Sequence, residues 1–288
     1  MTDVHILGSG AMGCLWASYL SPTHDVTMIQ KRRYEDGFHF QYLPDGITFN
    51  TTSIEVSNIN KPIKKLILAT KAYDALNAMT QVSPYIESNT QVVLLQNGLG
   101  SQQDIAEQFP HIRLFACSST EGVYKPDSRT VVHAGKGVNK IGAMNQYATL
   151  EALQEWLPSH CYHWEENIEQ ILWQKFMINC AINPLTHIYQ CANGQLLENP
   201  EFLSHMQVIC DEIDLITKAK QYSLPRAIDL AKQVCLVTAE NYSSMLQDVR
   251  NHRKTEIDYI TGYLLKQSLE YDIKCPENLA LYQSISEF

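Results

Sequence analysis

The sequence predicts an α/β protein with an N-terminal, Rossmann-type doubly wound sheet and a C-terminal, all-helical domain. In the first half of the 288 residues, short apolar runs typical of strands alternate with segments of helical periodicity, which is the pattern of a parallel sheet. From about residue 167 onward the periodicity is almost wholly helical. We therefore predict one domain over residues 1–166 and a second over residues 167–288.

A glycine-rich turn opens the first domain. Residues 8–13, GSGAMG, follow the apolar run 4–7 directly and precede a helix-like segment at residues 14–20. In a dinucleotide-binding fold, Gly8 would make the tight turn, Gly10 would let the backbone approach a pyrophosphate, and Gly13 would let helix pack on strand. A glycine turn alone is also typical of an ordinary strand-to-helix loop. The predicted cofactor contacts here are Gly8, Ser9, Gly10, Ala11, Met12 and Gly13.

The end of the second predicted strand favours NADP over NAD. This strand covers residues 25–29 and is followed by Gln30, Lys31, Arg32 and Arg33. A carboxylate at this position would bind the ribose 2′-hydroxyl of NAD, whereas cations would pair with a 2′-phosphate. Lys31 and Arg32 are the predicted phosphate ligands, and which of the three cations makes the contact stays open. The alternative is a solvated basic loop.

The remaining elements of the first domain follow from the same periodicities. Strands are predicted at residues 65–69, 91–95, 114–117 and 162–164, and helices at residues 72–82, 102–109 and 150–156. The apolar run at residues 130–133 is followed by two glycines and then by residues 140–142. This arrangement predicts a hairpin at the edge of the sheet.

The composition argues against several classes of protein. Asp and Glu number 31 against 22 Lys and Arg, so a general surface for nucleic acid or for anionic membranes is not expected. No apolar run approaches the roughly 18 residues of a membrane span, and the first residues lead into a strand without a signal-peptide pattern. We expect a cytoplasmic monomer or homodimer that acts on a small molecule.

The cysteine and histidine residues predict neither disulfides nor a metal site. The eight cysteines are scattered, without a CxxC pair, which is typical of reduced thiols. His160, Cys161 and His163 lie close together in the sequence. No second cluster of cysteine and histidine supplies the remaining ligands of a closed zinc site, so we predict an ordinary connecting segment.

Two loops follow predicted strands at the edge where open α/β sheets bind ligands. The first contains Lys71, and the second contains Asn97, Gly98 and Gly100. Lys71 and Asn97 are candidates for binding ribose, nicotinamide or substrate, and the glycines would let a cofactor lie close to the backbone. For the Asn-Gly pair alone, a simple turn is an equally good interpretation.

Lys175, Asn179 and Asn183 recur at intervals of four residues, which places them on one side of a helix. We predict that this helix begins near residue 167 and ends before Pro184. A lysine and two amides on one stripe could bind a small polyoxygenated anion. A solvated helix face is the alternative, although the apolar residues around the stripe favour a lined cleft.

A second polar stripe is predicted nearer the end of the chain. Its members keep approximately one helical face over four turns, and they are Asn241, Ser244, Asp248, His252 and Glu256. A solvated face is again the alternative when the stripe is taken alone. Asp248 and His252 could equally bridge helices.

Several motifs together resemble the 2-dehydropantoate 2-reductase (ketopantoate reductase) family. They are GSGAMG at residues 8–13, TKA at residues 70–72, QNGLG at residues 96–100, LWQKFMINCAINPLT at residues 172–186, NG at residues 193–194, and residues 240–260, which begin ENYSSMLQD and end TEIDYI. They span nearly the whole chain in the family's order. The motifs of the second domain discriminate more than the glycine turn.

The resemblance implies NADPH-dependent reduction of 2-dehydropantoate to (R)-pantoate, a step of pantothenate and coenzyme A biosynthesis. It makes Lys175 the proton donor, since hydride arriving at a ketone leaves negative charge on the oxygen. Glu256 would contact the cofactor first and support catalysis second. The implied substrate contacts are Asn97, Lys175, Asn179, Asn183, Asn193, Asn241 and Ser244. The implied cofactor contacts beyond the glycine turn are Lys31, Arg32, Lys71, Asn97, Val123 and Glu256.

Two other functions stay open on the sequence alone. An NADP-dependent reductase of another branched 2-keto acid would use the same lysine, and one missing hydroxyl contact could change its preferred substrate. A protein that senses NADPH without turnover is the second alternative. It would need no proton donor, so the joint presence of Lys175, Asn179, Asn183, Ser244 and Glu256 argues against it.

Overall fold

The computed structural model of the chain describes residues 2–31 and 34–286. These residues form two compact units, which we call the sheet unit and the helical unit. The sheet unit contains the residues up to Gln96 and Ser101–Glu169, whereas the helical unit contains Asn97–Gly100 and the residues from Gln170 onward. No sequence pattern indicated that a four-residue segment would group with the helices. The predicted boundary between residues 166 and 167 stays a prediction.

The sheet unit is built on one large mixed sheet. Its described strands are β1 (Thr2–Leu7), β2 (His24–Ile29), β3 (Phe38–Leu43), β4 (Ile47–Ile54), β5 (Ile63–Leu68), β6 (Ile86–Leu94), β7 (Arg113–Ser119), β8 (Gly122–Tyr124), β9 (Thr130–Gly135), β10 (Asn139–Ala143) and β11 (His163–Trp164). They pair in the order β11-β10-β7-β6-β5-β1-β2-β4-β3-β9-β8. Its helices are α1 (Ala11–Leu20), α2 (Ala72–Val82), α3 (Ser101–Gln108) and α4 (Leu150–Gln154).

The centre of this sheet is parallel, as the sequence predicted. β1 pairs in parallel with β2 on one side and with β5 on the other, and β5, β6 and β7 continue in the same sense. Leu66, Ile67 and Leu68 of β5 are fully buried, as expected where both faces of a sheet are covered. The strand order reverses between β1 and β5, and ligands of such sheets bind at that point. The predicted fold class is confirmed for this unit.

The predicted hairpin between residues 130–133 and 140–142 is wrong. β9 pairs in parallel with β3 and antiparallel with β8, while β10 pairs antiparallel with β7 and in parallel with β11. In the segment between β9 and β10, a Cβ added at Gly137 would lie 2.3 Å from the carbonyl carbon of Thr120. Gly137 therefore permits close packing of the chain on the β7–β8 link, whereas an added Cβ at Gly135 would meet nothing within 4 Å.

The helical unit matches the prediction of an all-helical second domain. Its helices are α5 (Ile168–Tyr189), α6 (Gln195–Glu198), α7 (Pro200–Ala219), α8 (Ala227–Val237), α9 (Ser244–Arg250), α10 (Thr261–Glu270) and α11 (Pro276–Ser286). The first two residues of α5 belong to the sheet unit, and the rest of the helix, from Gln170 onward, belongs to the helical unit. A short 3-10 turn, Ile257–Tyr259, precedes α10. Aromatic side chains pack within it, since Trp173 and Phe176 are both 1% exposed and their ring centroids lie 5.0 Å apart.

Two predicted helix boundaries of this unit are wrong. α5 continues through Pro184 to Tyr189. A proline lacks the N–H that would bond to the carbonyl four residues earlier, but burial of Ile182 and Leu185 on either side stabilises the helix. The second stripe is also not one helix, because α9 ends at Arg250 and His252 adopts a positive φ of 52°.

Within residues 2–31 and 34–286, no helix is long and apolar enough to cross a membrane. In the same residues, no group of three histidine, cysteine or acidic side chains could hold a metal ion. All eight cysteines are buried thiols, and none of them forms a disulfide. The expectations of a cytoplasmic location and of a monomer or homodimer stay predictions.

Candidate active site

The glycine turn of the sheet unit has the geometry that a bound diphosphate requires. Gly8 has a φ of +111°, and a Cβ added at Gly13 would lie only 2.0 Å from the carbonyl oxygen of Gly8. At Gly10, by contrast, an added Cβ would meet only the carbonyl oxygen of Ala69, at 4.0 Å. Gly8 and Gly13 therefore serve the packing of α1 on β1, while Gly10 lines the open side.

The N-terminus of α1 follows this turn. Gly10 is the N-cap residue, is exposed, and provides no side chain to bond the N–H groups of the first turn. Gly13 is buried, and the other two first-turn residues, Ala11 and Met12, are partly exposed. Free N–H groups at a helix N-terminus bind anions, aided by the helix dipole. The turn thus fits the diphosphate of a dinucleotide.

The other predicted cofactor residues of the sheet unit occupy varied positions. Lys31 has a side chain 96% exposed, with Nζ 3.9 Å from Asp74 Oδ2. Arg32, like its neighbour Arg33, lies outside the described residues. Lys71 is the N-cap residue of α2, three residues after the end of β5. Val123 lies in β8, opposite His133 of β9.

Lys175 of α5 forms a direct hydrogen bond to the loop that follows β6. Its Nζ donates to Asn97 Oδ1 at 2.8 Å. The loop is fixed in turn, because the N–H of Leu99 donates to the carbonyl oxygen of Tyr259 at 2.8 Å. Gly98 has a φ of +75°, and a Cβ there would lie 2.3 Å from the same oxygen. Two predicted residues 78 positions apart are therefore joined inside the helical unit.

Asn179 and Asn183 lie one and two turns further along α5 than Lys175. Asn179 is partly exposed, whereas Asn183 is only 6% exposed. Beside Asn183, Thr186 Oγ1 lies 2.9 Å from the Asn183 carbonyl oxygen and 2.7 Å from Ser243 Oγ. Ser243 caps α9 by accepting a bond from the Leu246 N–H at 3.1 Å. These buried hydroxyls tie α5 to the start of α9.

Asn193 and Asn241 are brought together by their backbones. The N–H of Asn193 donates to the carbonyl oxygen of Asn241 at 2.9 Å, and Asn193 Nδ2 donates to Thr238 Oγ1 at 2.9 Å. Asn193 Oδ1 is buried and has no hydrogen-bond partner among the described residues. A buried amide oxygen in this state is suited to accept a bond from a ligand hydroxyl. Asn241 and Ser244 are exposed.

Glu256 lies at the start of the 3-10 turn that holds the Asn97 loop. It is 5% exposed, and its carbonyl oxygen accepts a bond from the N–H of Tyr259 at 3.0 Å. Asp248 belongs to another contact, because its Oδ1 lies 3.0 Å from Arg253 Nε beyond the end of α9. His252 is exposed on the connection after α9. Of the second stripe, Glu256 is thus the member next to the Asn97 loop.

The polar side chains of the helical unit are of the types that bind a small hydroxylated anion. One ammonium group, several amides and a hydroxyl can bind carboxylate and hydroxyl oxygens without mutual charge repulsion. Sequence reasoning missed Thr186, Ser243 and Tyr259, which position these groups. The serine pair before an apolar segment was a possible helix-cap signal for Ser243, whereas the contact of Tyr259 with residues 98 and 99 has no local signal.

Comparison with known proteins gives a consistent family. The model described as Ketopantoate reductase PanE/ApbA matches residues 4–146, and the one described as Ketopantoate reductase PanE/ApbA C terminal matches residues 167–288. The 2-dehydropantoate 2-reductase of Vibrio cholerae is 33% identical over 98% of this chain and 96% of its own length. That of Bacillus subtilis is 28% identical over the same shares.

Solved structures share the fold along the whole chain. The crystal structure of the probable 2-dehydropantoate 2-reductase of Bacillus subtilis has a TM-score of 0.83 and 28% identity, with 99% of both chains covered. A D-mandelate dehydrogenase with NADH and anilino(oxo)acetate has a TM-score of 0.86 at 21% identity, with 99% of this chain and 98% of that chain covered. Because family models match both halves and a relative at 33% identity spans 98% of its length, this chain belongs to the ketopantoate reductase family of oxidoreductases.

Proposed function

We propose that this chain catalyses the NADPH-dependent reduction of 2-dehydropantoate to (R)-pantoate, and so serves pantothenate and coenzyme A biosynthesis. The observation that carries the proposal is the 2.8 Å bond from Lys175 to Asn97, beside a helix face with two further amides. Names of relatives support the same substrate, since the curated matches from Vibrio cholerae and Bacillus subtilis are both 2-dehydropantoate 2-reductases.

The sheet unit supplies most of the proposed cofactor contacts. The open face at Gly10 and the uncapped N-terminus of α1 fit a diphosphate, and two solved structures of D-mandelate dehydrogenase with the same fold contain NADH. When bound, the nicotinamide supplies a hydride to the C2 carbon of the substrate. Preference for NADPH rests on the basic segment after β2, in which Lys31 and Arg32 would pair with the 2′-phosphate. Lys71, Asn97 and Val123 complete the proposed contacts.

Lys175 is the proposed proton donor. As C2 gains hydride, negative charge develops on its oxygen, and the ammonium group of Lys175 both stabilises this charge and transfers a proton to it. The neutral amine then takes a proton from solvent. Asn97 Oδ1 accepts a hydrogen bond from one of the three N–H groups of the ammonium, and so fixes the directions of the other two N–H groups. Precise placement of this kind is worth a large part of a catalytic barrier.

Neutral donors hold the substrate in this proposal. Asn179, Asn183, Asn193, Asn241 and Ser244 would bind the carboxylate and the hydroxyl oxygens, with Asn193 Oδ1 free to accept from a substrate hydroxyl. Binding free energy is lost when a buried amide has no hydrogen-bond partner, so such contacts also discriminate against substrates that lack the hydroxyl. Glu256 would contact the cofactor ribose or nicotinamide and secondarily orient Lys175.

The test is NADPH oxidation by the full chain with 2-dehydropantoate, compared with Lys175→Met. Loss of the acid should lower kcat by roughly 10²- to 10⁴-fold, while the Kd of NADPH stays unchanged. Lys218→Met, at an exposed lysine of α7, is the matched control and should keep native turnover. A Lys175→Met enzyme with native kcat would exclude the acid role.

Substrate analogues separate this function from its alternatives. A 2-keto acid that lacks the terminal hydroxyl should react with kcat/KM lower by at least about tenfold, because one polar group of the site then stays unpaired. Equal or faster turnover of the analogue would indicate another branched 2-keto acid as the substrate. Tight NADPH binding without turnover of any keto acid would indicate a sensing role.

A further inference from the structure

A lysine from a distant part of the chain contacts the glycine turn. Lys125 lies in the connection between β8 and β9, 116 residues after Ser9. Its Nζ donates to the carbonyl oxygen of Ser9 at 3.0 Å and to that of Ser128 at 2.9 Å. The side chain therefore ties the β8–β9 connection to the turn that fits the cofactor diphosphate.

The direct contacts of the Lys125 ammonium group are with uncharged groups. Nζ is 5.3 Å from the centroid of the Phe38 ring and 3.9 Å from Cys14 Sγ. Burial raises the pKa of the Cys14 thiol to about 11, so the sulfur keeps its proton at neutral pH. Among the described residues, no carboxylate oxygen forms an ion pair with Lys125. Oδ1 of the nearby Asp127 accepts hydrogen bonds from the backbone N–H groups of residues 129–130.

The carbonyl that Lys125 contacts shares its peptide group with the N–H of Gly10. Because that group is planar and conjugated, a cation bonded to the oxygen fixes the plane and strengthens the N–H as a donor. Gly10 is the exposed position of the turn, where an added Cβ would have 4.0 Å of space to the nearest atom. The polarised N–H therefore belongs to the part of the turn that is open to a ligand.

We propose that Lys125 is a positioning residue for the cofactor diphosphate. It holds the Ser9–Gly10 peptide in the orientation that a phosphate oxygen needs, and it places one positive charge beside the turn. The inference rests on the proposed nicotinamide cofactor. It concerns the diphosphate, which NADPH and NADH share, and leaves recognition of the 2′-phosphate to the basic segment after β2.

Lys125→Met tests this proposal, because methionine keeps an unbranched apolar stem against Phe38 but has neither charge nor donor. Isothermal titration of the full chain would give the Kd of NADPH, NADH, ADP-ribose and adenosine 2′-monophosphate. The first three ligands contain a diphosphate and the fourth does not. We expect Lys125→Met to weaken the first three by one common factor of about ten, the equivalent of one charge-assisted bond, and to leave the fourth within twofold.

Two control variants make the comparison specific. Lys136→Met removes an exposed lysine from the β9–β10 connection and should change no Kd. Lys125→Arg keeps a charge and donors, and should retain the affinity for NADPH within about threefold. If Lys125→Met fails to fold, Lys125→Gln replaces it in the same titrations, because glutamine has a polar end group without charge.

The outcomes separate this proposal from the proposed function. A native Kd for NADPH and NADH in Lys125→Met would overturn it, as would a loss confined to NADPH, or an equal loss for adenosine 2′-monophosphate. A native chain that binds none of the diphosphate ligands would overturn both proposals. A chain that binds NADPH but does not reduce 2-dehydropantoate contradicts the proposed function alone, since these titrations measure binding without turnover.

Discussion

The glycine turn of the sheet unit and the polar residues of the helical unit are assembled in different ways. The turn is six consecutive residues, and backbone contacts within a few ångströms, such as that of Gly13 with Gly8, determine its shape. The polar residues come from separate stretches of chain, joined by contacts such as Lys175 with Asn97 and Thr186 with Ser243. A local site should be destroyed by one added methyl group, whereas a distributed site should lose activity in steps.

Gly13→Ala should have the largest effect on stability. Its Cβ would lie 2.0 Å from the Gly8 carbonyl oxygen, a backbone atom that cannot move away without shifting β1 or α1. We expect a loss of about 3 kcal/mol or more in the free energy of unfolding, measured by urea denaturation. A Gly13→Ala protein with native stability would show that the turn changes shape to accommodate the added methyl group.

Gly10→Ala is the matched substitution in the same turn. An added Cβ at Gly10 has 4.0 Å of space and φ is −67°, so we expect stability within about 1 kcal/mol of native. The methyl group would instead occupy the face that a diphosphate approaches, so the Kd of NADPH should rise. If both alanine variants lost stability equally, the division of roles within the turn would be wrong.

Gly98→Ala applies the same test to the helical unit. Its φ is +75°, and the new Cβ would lie 2.3 Å from the Tyr259 carbonyl oxygen, so the loop with Asn97 must shift. We expect kcat to fall by up to about 10²-fold through misplacement of Lys175, with a stability loss of about 2 kcal/mol. Gly46→Ala is the control, because Gly46 has a φ of +70° and nothing within 4 Å. It should show only the strain of the positive φ, about 1 kcal/mol.

The same contrast explains how far the sequence predicted this molecule. The alternation of strands and helices follows from local periodicity, and the glycine turn follows from six consecutive residues. The helix α2 accordingly begins and ends where it was predicted, at Ala72 and Val82. Predictions that needed tertiary knowledge failed. The partners of β9 and β10, and the continuation of α5 through Pro184, are decided by packing against distant segments.

Prediction of the candidate site followed the same rule. Lys175, Asn179 and Asn183 were singled out because a helix places every fourth residue on one face, and all three lie on α5, while their roles stay predictions. The second stripe was extended too far, because α9 ends at Arg250 and no periodic pattern marks that end. The contact of Lys125 with Ser9 joins residues 116 positions apart, so no spacing rule could have indicated it.

Thr186→Val tests a contact that holds the distributed site together. Valine keeps the volume but removes the hydroxyl that lies 2.7 Å from Ser243 Oγ, leaving a buried polar group with one partner fewer. We expect a stability loss of about 1–2 kcal/mol and a rise in KM for the keto acid with a smaller change in kcat. Thr186→Ser keeps the hydroxyl and should restore KM. If KM stayed native in the valine variant, the link between α5 and α9 would not position substrate contacts.

One histidine in each unit, His5 in the sheet unit and His187 in the helical unit, gives the smallest predicted effect. Burial lowers the pKa of His5, against an opposing influence of Asp3, and burial also lowers the pKa of His187, in both cases below 6.5. The unfolded chain then binds more protons than the folded one just below pH 6.5, so stability present above that pH is lost as the pH falls through this range.

His5→Gln and His187→Gln show which unit carries that acid sensitivity. Each variant should lose stability less steeply than the native chain between pH 7 and pH 5, by at most about 1.4 kcal/mol per pH unit. Urea denaturation at several pH values measures the slopes, and separate spectroscopic probes of the two units are needed because their unfolding need not be concerted. If a variant instead had the steeper slope, the histidine would be protonated in the folded chain. Other titrating groups would then cause the loss of stability in acid, in place of His5 in the sheet unit or of His187 in the helical unit.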